Sequence, residues 1–397
     1  MATPIPRPVK VLGLVSLLTD ASSEMIYPLL PAFLTGILNA SPAFLGLVEG
    51  LAEAVASLLK VASGFLSDRL PRRKPLVVAG YGLSSAVRPL VALATAPSHV
   101  LAVRLFDRVG KGVRSAPRDA LLAEITPEGQ RGRAFGFQRA LDHAGAVVGP
   151  LLASGLLLAG SDLRTVFALA ALPAVLAMAA LVFGVREGQP VSTPPAASVR
   201  PGGADLPRRR PFHLYLGVLA VFSLGNSSDA FLLLKAQEAG VGLALIPLLW
   251  AFHHVVKAAA STHGGMLADR RGRKEAILAG WFVYALAYAG FAGAASSGWI
   301  WLLFGFYGLF PALTEGPERA LVAELAAADE RGRAFGLYHA VTGGMALFAS
   351  LVTGALWQRF GAATALGTGA ALAGAAALGL WTLVPERTPP PSVVNAI

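Results

Sequence analysis

GFLSDRLPRRK at 64–74 decides how this chain folds, because GMLADRRGRK at 265–274 repeats it in the second half of the 397 residues. The other segments that repeat in the same order are RGRAFG at 131–136 and 331–336, PRDALLAE at 117–124 with PERALVAE at 317–324, and SSE at 22–24 with SSD at 227–229. One such match could arise by chance, but four with nearly the same spacing could not. The chain is therefore predicted to consist of two related halves in a parallel repeat.

The composition indicates that much of the chain lies in a membrane. Hydrophobic residues make up 55% of the sequence and charged residues only 14%, whereas soluble domains carry about 25% charged residues. Apolar stretches of about twenty residues, the length with which a helix crosses a bilayer, recur along the whole chain. Because lipid offers backbone amides no hydrogen-bonding partner, these stretches are predicted to be helices.

The net charge of +10 raises nucleic-acid binding as an alternative. The basic residues cluster at helix ends on one side, so membrane topology explains them better, and no nucleic-acid partner is predicted. The chain has no cysteine, which excludes disulfides, thiolate metal sites and cysteine nucleophiles. Near the N-terminus a short apolar run meets Asp20 and Glu24, which favours a retained first helix over a cleaved signal peptide.

The apolar stretches predict an all-α protein with twelve transmembrane helices. The predicted spans are 11–38, 42–68, 74–96, 98–119, 133–160, 163–186, 212–238, 244–270, 275–297, 299–326, 333–358 and 362–384. One long connection, rich in Pro, Gly, Ser and Arg, falls at the middle of the chain and has the composition of a linker. The predicted domains are an N-terminal six-helix bundle at 1–186, a cytoplasmic linker at 187–211, a C-terminal six-helix bundle at 212–384 and a cytoplasmic tail at 385–397.

The orientation follows from lysine and arginine in the short loops. The loops after helices 2 and 8 and the central linker are rich in these residues, whereas the alternate loops contain chiefly Arg164 and Arg359. We therefore expect both termini on the cytoplasmic side of a bacterial inner membrane, with the chain embedded in the lipid bilayer.

The repeated loop has the pattern Gly-x-x-x-Asp-Arg-x-x-Arg-Arg/Lys, which resembles the signature loop of the major facilitator superfamily. The residues that carry the resemblance are Gly64, Asp68, Arg69, Arg72 and Arg73 in the first copy and Gly265, Asp269, Arg270, Gly272, Arg273 and Lys274 in the second. The first copy departs from the pattern at Pro71, where the family usually has glycine. The resemblance implies two pseudo-symmetric six-helix bundles, with helices 1, 4, 7 and 10 around a central cavity.

The two aspartates of this loop are expected to anchor cytoplasmic closures between neighbouring helices. A carboxylate at a helix end within a basic loop needs local partners. The candidate partners are Arg131, Arg133, Arg331 and Arg333.

Helix 4 is the most unusual segment, because VRLFDRVGKGVRSAPRD at 103–119 places six charges within about a third of the helix circumference. These residues are Arg104, Asp107, Arg108, Lys111, Arg114 and Arg118. Each charge at bilayer depth costs roughly 2.5–3.5 kcal/mol, so the stripe must face protein or a water-filled cavity. A purely structural ion-pair network is one interpretation. For Arg108 and Lys111, nearer the middle of the membrane, a role in substrate or proton handling is favoured.

Helices 1, 7 and 10 supply acidic and polar side chains that complement this stripe. In helices that run in opposite directions, Asp20 and Glu24 reach about the same depth as Arg108 and Lys111. Together, these helices predict a substrate and proton cavity formed by Asp20, Glu24, Tyr27, Arg104, Asp107, Arg108, Lys111, Arg114, Asn226, Asp229, Glu315, Glu318 and Arg319.

Other polar residues within the predicted helices are as consistent with structural partners as with function. They are Glu49, Glu53, Lys60, Arg88, Arg139, Asp142, His143, His253, His254 and Lys257. Adjacent His253 and His254 point about 100° apart on a helix and cannot easily share an ion, so no metal site is predicted.

The segment Gly145-Ala-Val-Val-Gly149-Pro150 resembles the superfamily's helix 5 motif that is associated with antiporters. Its usual closing Gly-Gly is replaced by Ala153 and Ser154. The motif predicts a bend and close packing against a neighbouring helix, and it favours export. No phosphate-binding loop and no nucleophile–base constellation are evident, so no cofactor and no enzymatic activity are predicted, and a proton gradient is the expected energy source.

These features predict a secondary active transporter that works by alternating access, as a monomer, and exports a small polar or amphiphilic molecule in exchange for protons. Basic helix 4 faces acids, which suits a zwitterion, an organic anion or a polar drug. Proton-coupled uptake of a metabolite or a metal chelate is the alternative, and a membrane sensor or enzyme on the same fold is the alternative from another class. Asp20 is the preferred proton carrier because Gly225 occupies its place in the repeat, whereas Glu24 is matched by Asp229 and is assigned to the ion-pair network.

Overall fold

The computed structural model describes residues 5–70, 72–127, 130–185, 210–326 and 330–385, apart from the side chain of Asp68. The predicted linker at 187–211 lies outside these residues except for its last two positions, and the predicted tail at 385–397 lies outside them except for its first. The described residues form helices and connecting turns, with no β-strand among them.

The N-terminal half contains six helical segments, most of them begun by proline or by a capping side chain. They are α1 (Arg7–Ile26, continued by short turns to Ile37), α2 (Pro42–Arg69), α3 (Lys74–Leu93), α4 (Pro97–Glu124), α5 (Arg131–Leu158) and α6 (Leu163–Gly184). At the start of α2, Ser41 Oγ accepts a hydrogen bond from Phe44 N, and Pro42 occupies the first helical position. Asp162 caps α6 by accepting a hydrogen bond from Thr165 N.

The C-terminal half has a corresponding series of helical segments. They are α7 (Arg210–Glu238), α8 (Leu243–Arg271), α9 (Arg273–Gly293), α10 (Ser297–Leu325), α11 (331–360) and α12 (362–383). Gly361 separates the last two with a φ of 86°, and Gly272 separates α8 from α9 with a φ of 109°. Both values lie in the left-handed region that glycine adopts without steric cost.

Two of the predicted helices are less regular than the sequence suggested. We predicted a continuous first helix over 11–38, but its α-helical part ends at Ile26, because Pro28 and Pro31 remove backbone donors and the chain continues in a 3₁₀ and a π turn. We also predicted a continuous helix over 212–238. It is broken at 226–229, where Ser228 Oγ accepts the backbone N–H of Ala230.

Eight helical segments among the described residues are long and apolar enough to cross a membrane. They are α3, α5, α6, α7, α8, α9, α10 and the joined segment of α11 and α12. Large apolar side chains on the outer surface, such as Leu58, Leu93 and Phe183, are between 72% and 83% exposed. Such extensive apolar exposure marks a surface that meets lipid. The protein is therefore a multi-pass helical membrane protein.

Glycine lets α1 and α5 pack backbone to backbone. A Cβ atom on Gly145 would collide with the carbonyl oxygen of Leu17, and one on Gly149 would collide with that of Ala21. Close approach through small residues is the usual way in which helices associate in lipid. The motif around Pro150, which lies inside α5, thus packs α5 on α1 as its sequence predicted.

The same side-chain contacts brace both halves at the end that carries the two basic loops, here called the basic-loop end. Arg73 Nη1 pairs with Glu124 Oε2 at 2.8 Å, and Lys74 Nζ donates to the carbonyl of Val185 at 2.6 Å. In the second half, Arg273 pairs with Glu324 at 2.5 Å and Lys274 Nζ donates to the carbonyl of Val384 at 2.7 Å. Each basic loop therefore holds together the ends of the helices within its own half.

The predicted aspartate anchors of these loops stay a prediction. Arg131 Nε and Arg331 Nε donate to the backbone carbonyls of Ala123 and Ala323, at 3.2 and 3.3 Å. Asp269 makes no hydrogen bond or ion pair with any residue that the structure describes. The side chain of Asp68 lies outside the described part.

The two halves meet most closely at the opposite end, here called the far end, through α2 with α11 and α5 with α8. A Cβ on Gly46 would collide with the carbonyl oxygen of Ser350, and one on Gly354 would lie 2.7 Å from the carbonyl oxygen of Pro42. Ser154 Oγ donates a hydrogen bond of 2.6 Å to the carbonyl of Ala244 in the other half. The halves are thus tightly closed against each other at the far end.

Candidate functional site

A cavity of about 600 Å³ lies between the two halves. Side chains of α1, α2, α4 and α5 form one wall, and those of α7, α8, α10 and α11 form the other. The volume is within the range of roughly 300–1,000 Å³ that small-molecule pockets occupy. The sequence predicted that helices 1, 4, 7 and 10 line this cavity. The structure adds α2, α5, α8 and α11 to its lining.

The cavity brings together most of the site residues that the sequence predicted. Those at its wall are Asp20, Glu24, Tyr27, Asp107, Arg108, Lys111, Arg114, Asn226, Asp229 and Glu315. Arg104, Glu318 and Arg319 lie outside the wall. Toward the basic-loop end the cavity reaches solvent, since the wall side chains of Arg139 and Glu315 are 60% and 53% exposed.

Asp107 belongs to a buried ion pair instead of standing free in the cavity. Arg88 Nη2 contacts Asp107 Oδ1 at 2.9 Å, and each side chain is only 5% exposed. The same arginine donates to the carbonyl of Thr19 and to Ser22 Oγ. This arginine therefore ties α1, α3 and α4 together, which is a structural role.

Arg104 lies behind the cavity wall because it is bound to Glu49. Its Nη2 and Nε atoms both donate to Glu49 Oε1, at 2.6 and 3.1 Å. Ser228 Oγ donates to the other oxygen of Glu49 at 3.3 Å, and Tyr27 Oη lies 3.4 Å from Ser228 Oγ. Since Ser228 belongs to the C-terminal half, this chain of polar contacts links the two halves.

Arg114 is held by α3. Its Nη1 atom donates to Ser84 Oγ at 2.7 Å, and its guanidinium lies 4.4 Å from the centre of the Tyr81 ring. Such cation–π stacking stabilises a desolvated arginine.

Arg108 and Lys111 differ from the other cations of α4. Both line the cavity, and neither side chain makes a hydrogen bond or ion pair with any residue in the described ranges. The Nε atom of Arg108 is buried without a partner. As a whole, the Arg108 side chain is half-buried, and that of Lys111 is exposed in the open cavity. These two side chains are therefore free to bind something in the cavity.

Glu24 and Asp229 each accept a hydrogen bond from an aromatic side chain. Trp250 Nε1 donates to Glu24 Oε2 at 2.8 Å and connects α8 to α1 across the two halves. Tyr307 Oη donates to Asp229 Oδ1 at 2.6 Å within the C-terminal half. Neither carboxylate has a lysine or arginine within 4.0 Å among the residues that the structure covers.

Asp20 faces the cavity without a hydrogen bond or ion pair to any described side chain. Asp142 of α5 also lines the cavity, 3.8 Å from Arg139, and its Oδ1 atom is buried without a partner. The close packing at Gly145 brings α5 and α1 together here, since a Cβ at this glycine would lie 3.0 Å from Asp20 Cβ. Asp20 is thus the acid of α1 that is least restrained.

The acids predicted on α10 separate into two environments. Glu315 forms an ion pair with Lys257 of α8 at 2.5 Å, on the cavity wall. Glu318 is buried behind the wall because Trp281 Nε1 and Tyr338 Oη donate to its two oxygens, at 3.1 and 3.0 Å. Arg319 is exposed and lies away from the cavity.

The histidines show no arrangement for a metal ion. His253 Nδ1 lies 3.3 Å from the carbonyl oxygen of Phe304, and both ring nitrogens of His254 are buried without partners. Within the described ranges, no group of three or more histidine, aspartate and glutamate side chains could hold a metal.

Sequence reasoning missed Trp250, which contacts the predicted acid Glu24. A tryptophan in an apolar helix gives no functional signal by itself. A signal was nevertheless available, because Trp250 shares one helical face with His253, His254 and Lys257 at spacings of three, four and seven residues. All four line the cavity.

Comparison with known proteins gives one consistent result. The family model described as Major Facilitator Superfamily matches residues 12–256 and 231–396. An uncharacterized MFS-type transporter of Methanocaldococcus jannaschii is 36% identical over 361 residues, which cover 89% of each chain. The multidrug resistance protein MdtH of Photorhabdus laumondii is 31% identical over 133 residues, or 34% of this chain and 33% of that protein.

Solved structures agree at the level of the fold. The crystal structure of the nucleoside transporter NupG matches with a TM-score of 0.76 and 14% identity, over 96% of this chain and all of that one. The family model and the relative from Methanocaldococcus jannaschii both match most of the sequence, and the relative is an MFS-type transporter. The chain belongs to the major facilitator superfamily and is therefore a membrane transporter, not an enzyme.

Proposed function

We propose that this protein is a secondary active transporter that exports a small polar or amphiphilic molecule in exchange for protons. The observation that carries the proposal is the polar cavity between the halves, closed at the far end and open to solvent at the basic-loop end. A cavity of this form gives a substrate access from one side only. Rocking the two halves about it exposes the same site to the other side.

The membrane arrangement that goes with this function has twelve transmembrane helices. Among the described residues, eight segments are long and apolar enough to cross a membrane, and one of them contains both α11 and α12, which gives nine helices. The other three are α1, α2 and α4, which are less apolar because they carry charges that line the cavity. Lysine and arginine in the loops favour a cytoplasmic position for both termini. The proposed state is a monomer in the inner membrane of a bacterial cell. The open end of the cavity then faces the cytoplasm, where an exporter loads.

Asp20 is the proposed proton carrier. A carrier must gain and lose its proton as its surroundings change, and a carboxylate that faces a water-filled cavity without a fixed partner meets this requirement. Glu24 is less free, because it accepts the hydrogen bond of Trp250 across the two halves. The energy source is the proton gradient, without a cofactor.

Two observations favour export over uptake. The segment related to MdtH belongs to a protein named for multidrug resistance. The glycine–proline motif of α5, which resembles the antiporter-associated motif, packs on α1 directly beside Asp20.

The test is transport in proteoliposomes with an imposed pH gradient, compared with exchange at equal pH on both sides. Asp20→Asn should abolish gradient-driven transport and retain exchange, and Glu24→Gln should retain part of both. Asp162→Asn is the matched control, because asparagine also caps a helix and Asp162 lies at the end of the membrane-spanning segment. Full gradient-driven transport by both Asp20→Asn and Glu24→Gln would reject α1 as the coupling element.

A further inference from the structure

One wall of the cavity is a continuous row of aromatic rings. The ring centres of Tyr27 and Trp250 are 5.5 Å apart, those of Trp250 and His253 5.1 Å, and those of His253 and Tyr307 5.2 Å. Phe310 extends the row, 5.7 Å from Tyr307. All five side chains line the cavity. Since Trp250, His253 and Tyr307 are only 3–4% exposed, a small part of each ring reaches the cavity.

Two rings within this aromatic row each hold a carboxylate that has no described cation within ion-pair distance. Trp250 holds Glu24, and Tyr307 holds Asp229, by hydrogen bonds of 2.8 and 2.6 Å. No arginine or lysine of the described segments lies within ion-pair distance of either acid. Carboxylates fixed next to aromatic faces bind organic ammonium groups, since charge attraction and cation–π contact act together.

The opposite charge is available on α4. Arg108 and Lys111 lie one helical turn apart, line the same cavity and have no acidic partner among the residues described. A guanidinium beside an ammonium binds carboxylate or phosphate oxygens, with the guanidinium fixing the orientation. This pair is therefore suited to an anionic group.

Most other charges at the wall neutralise one another. Asp107 pairs with Arg88, Asp119 with Arg118, and Glu315 with Lys257. Glu49, at the wall, pairs with Arg104 behind it. Asp20 and Glu53 line the same wall, also without an ion pair to a described residue. The carboxylates held by the aromatic row and the cations of α4 are carried by different helices of the wall.

We propose that the cavity binds an amphoteric molecule, with its amine against the aromatic row between Glu24 and Asp229 and its anionic group on Arg108 and Lys111. This inference rests on the proposed function, because it specifies the substrate of that transport cavity. A simple cation would make no contact with Arg108 and Lys111, and a simple anion would make none with Glu24 and Asp229. A zwitterion makes charge-assisted contacts with both sets of residues.

A matched set of three probes tests the proposal: phenylalanine, phenethylamine, which lacks the carboxylate, and 3-phenylpropanoate, which lacks the amine. Binding to the full chain in lipid nanodiscs is measured by isothermal titration calorimetry at pH 7. Phenylalanine should bind at least tenfold more tightly than either analogue, since each loses a charge-assisted contact. Equal or weaker binding of phenylalanine, or no binding of all three, would overturn the proposal.

Two variants assign the ends of the probe. Lys111→Gln should weaken phenylalanine and 3-phenylpropanoate by about tenfold and strengthen phenethylamine, because a repelling cation is removed. Asp229→Asn should weaken phenylalanine and phenethylamine and strengthen 3-phenylpropanoate. Lys10→Gln, an exposed lysine away from the cavity, is the matched control and should change none of the three. The same response of all three probes to both cavity variants would contradict separate charged centres.

The binding experiment and the transport experiment can reject the amphoteric site and the proposed transport function separately. If phenylalanine binds with the crossed pattern but is not driven across proteoliposomes by a pH gradient, the amphoteric site stands and proton-coupled transport fails. If proteoliposomes expel protons with another substrate while the crossed pattern is absent, the transport function stands and the amphoteric site is rejected.

Discussion

The hydrogen bond from Trp250 to Glu24 is expected to stabilise the state in which the far end is closed, because it joins α8 of one half to α1 of the other. Trp250→Phe keeps an aromatic ring in the row, removes the hydrogen-bond donor and makes the buried side chain smaller. A hydrogen bond to a charged group contributes about 1.5–3 kcal/mol. If this bond is absent when the far end is open, its loss shifts the equilibrium toward that state by about 10- to 150-fold.

The shift is measured by double electron–electron resonance, which gives the distance between two spin labels. The labels are placed at Ser41, just before α2, and at Gln358, near the end of α11, both at the far end. The natural sequence has no cysteine, so two introduced cysteines give a uniquely labelled protein. If about 1% of wild-type molecules are open, Trp250→Phe should raise this fraction to between about 10% and 60%. Trp381→Phe is the control, because Trp381 is 66% exposed on α12.

An unchanged distance distribution in Trp250→Phe, with wild-type stability, would refute this reasoning. The bond would then contribute equally to both states, or would be replaced by water at no cost. A shift of similar size in Trp381→Phe would show that any tryptophan substitution disturbs the equilibrium, and would equally remove the argument.

Three further predictions concern stability. Asp107→Ala should lower the free energy of unfolding by about 3–5 kcal/mol in a denaturant titration, because it leaves Arg88 buried without its partner, and Arg88→Met with Asp107→Leu should recover much of the loss. Gly149→Val should cost about 1–3 kcal/mol because its side chain collides with the backbone of α1, whereas Gly155→Val, with open space around it, should cost less than half as much in the same titration. Hydrogen bonds from Thr165 lower the pKa of Asp162, so its cap stabilises the protein above the unfolded-state pKa, and this stabilisation is lost as the pH falls through the lowered pKa. The melting temperature of Asp162→Asn should therefore not show this loss at acid pH. The same pH profile of melting temperature in the variant and the wild type would contradict the prediction.

Much of the fold could be predicted because membrane insertion restricts what a sequence can do. Apolar stretches of bilayer length must be helical, and the repeated loops divide the chain into two halves. The break in α7 was missed because polar residues such as Asn226 and Ser227 are expected both at a helix break and on a continuous helix that lines a cavity. Only the three-dimensional contacts show that Ser228 Oγ accepts a hydrogen bond from the backbone N–H of Ala230 at this point.

The site was predictable in outline for the same reason, since charges at bilayer depth must face a cavity or a partner. The sequence could not show which of these charges face the cavity and which are bound by a partner. Asp107 and Arg108 are neighbours on one helix, yet the first is bound by Arg88 from α3 while the second faces the cavity. That difference depends on which helix packs on which face, and a pattern within α4 does not contain it.

Alternating access around one cavity is the central claim, and it is tested most directly by measuring both ends of the protein together. Spin labels at Ser41 and Gln358 report the far end, and labels at Arg69 and Arg271 report the basic-loop end. Asp20→Asn, which mimics the protonated acid, should lengthen one distance and shorten the other, in the same proportion of molecules. If both distances lengthen together, or if one changes while the other stays fixed in every condition, the cavity does not alternate between the two sides and the account is wrong.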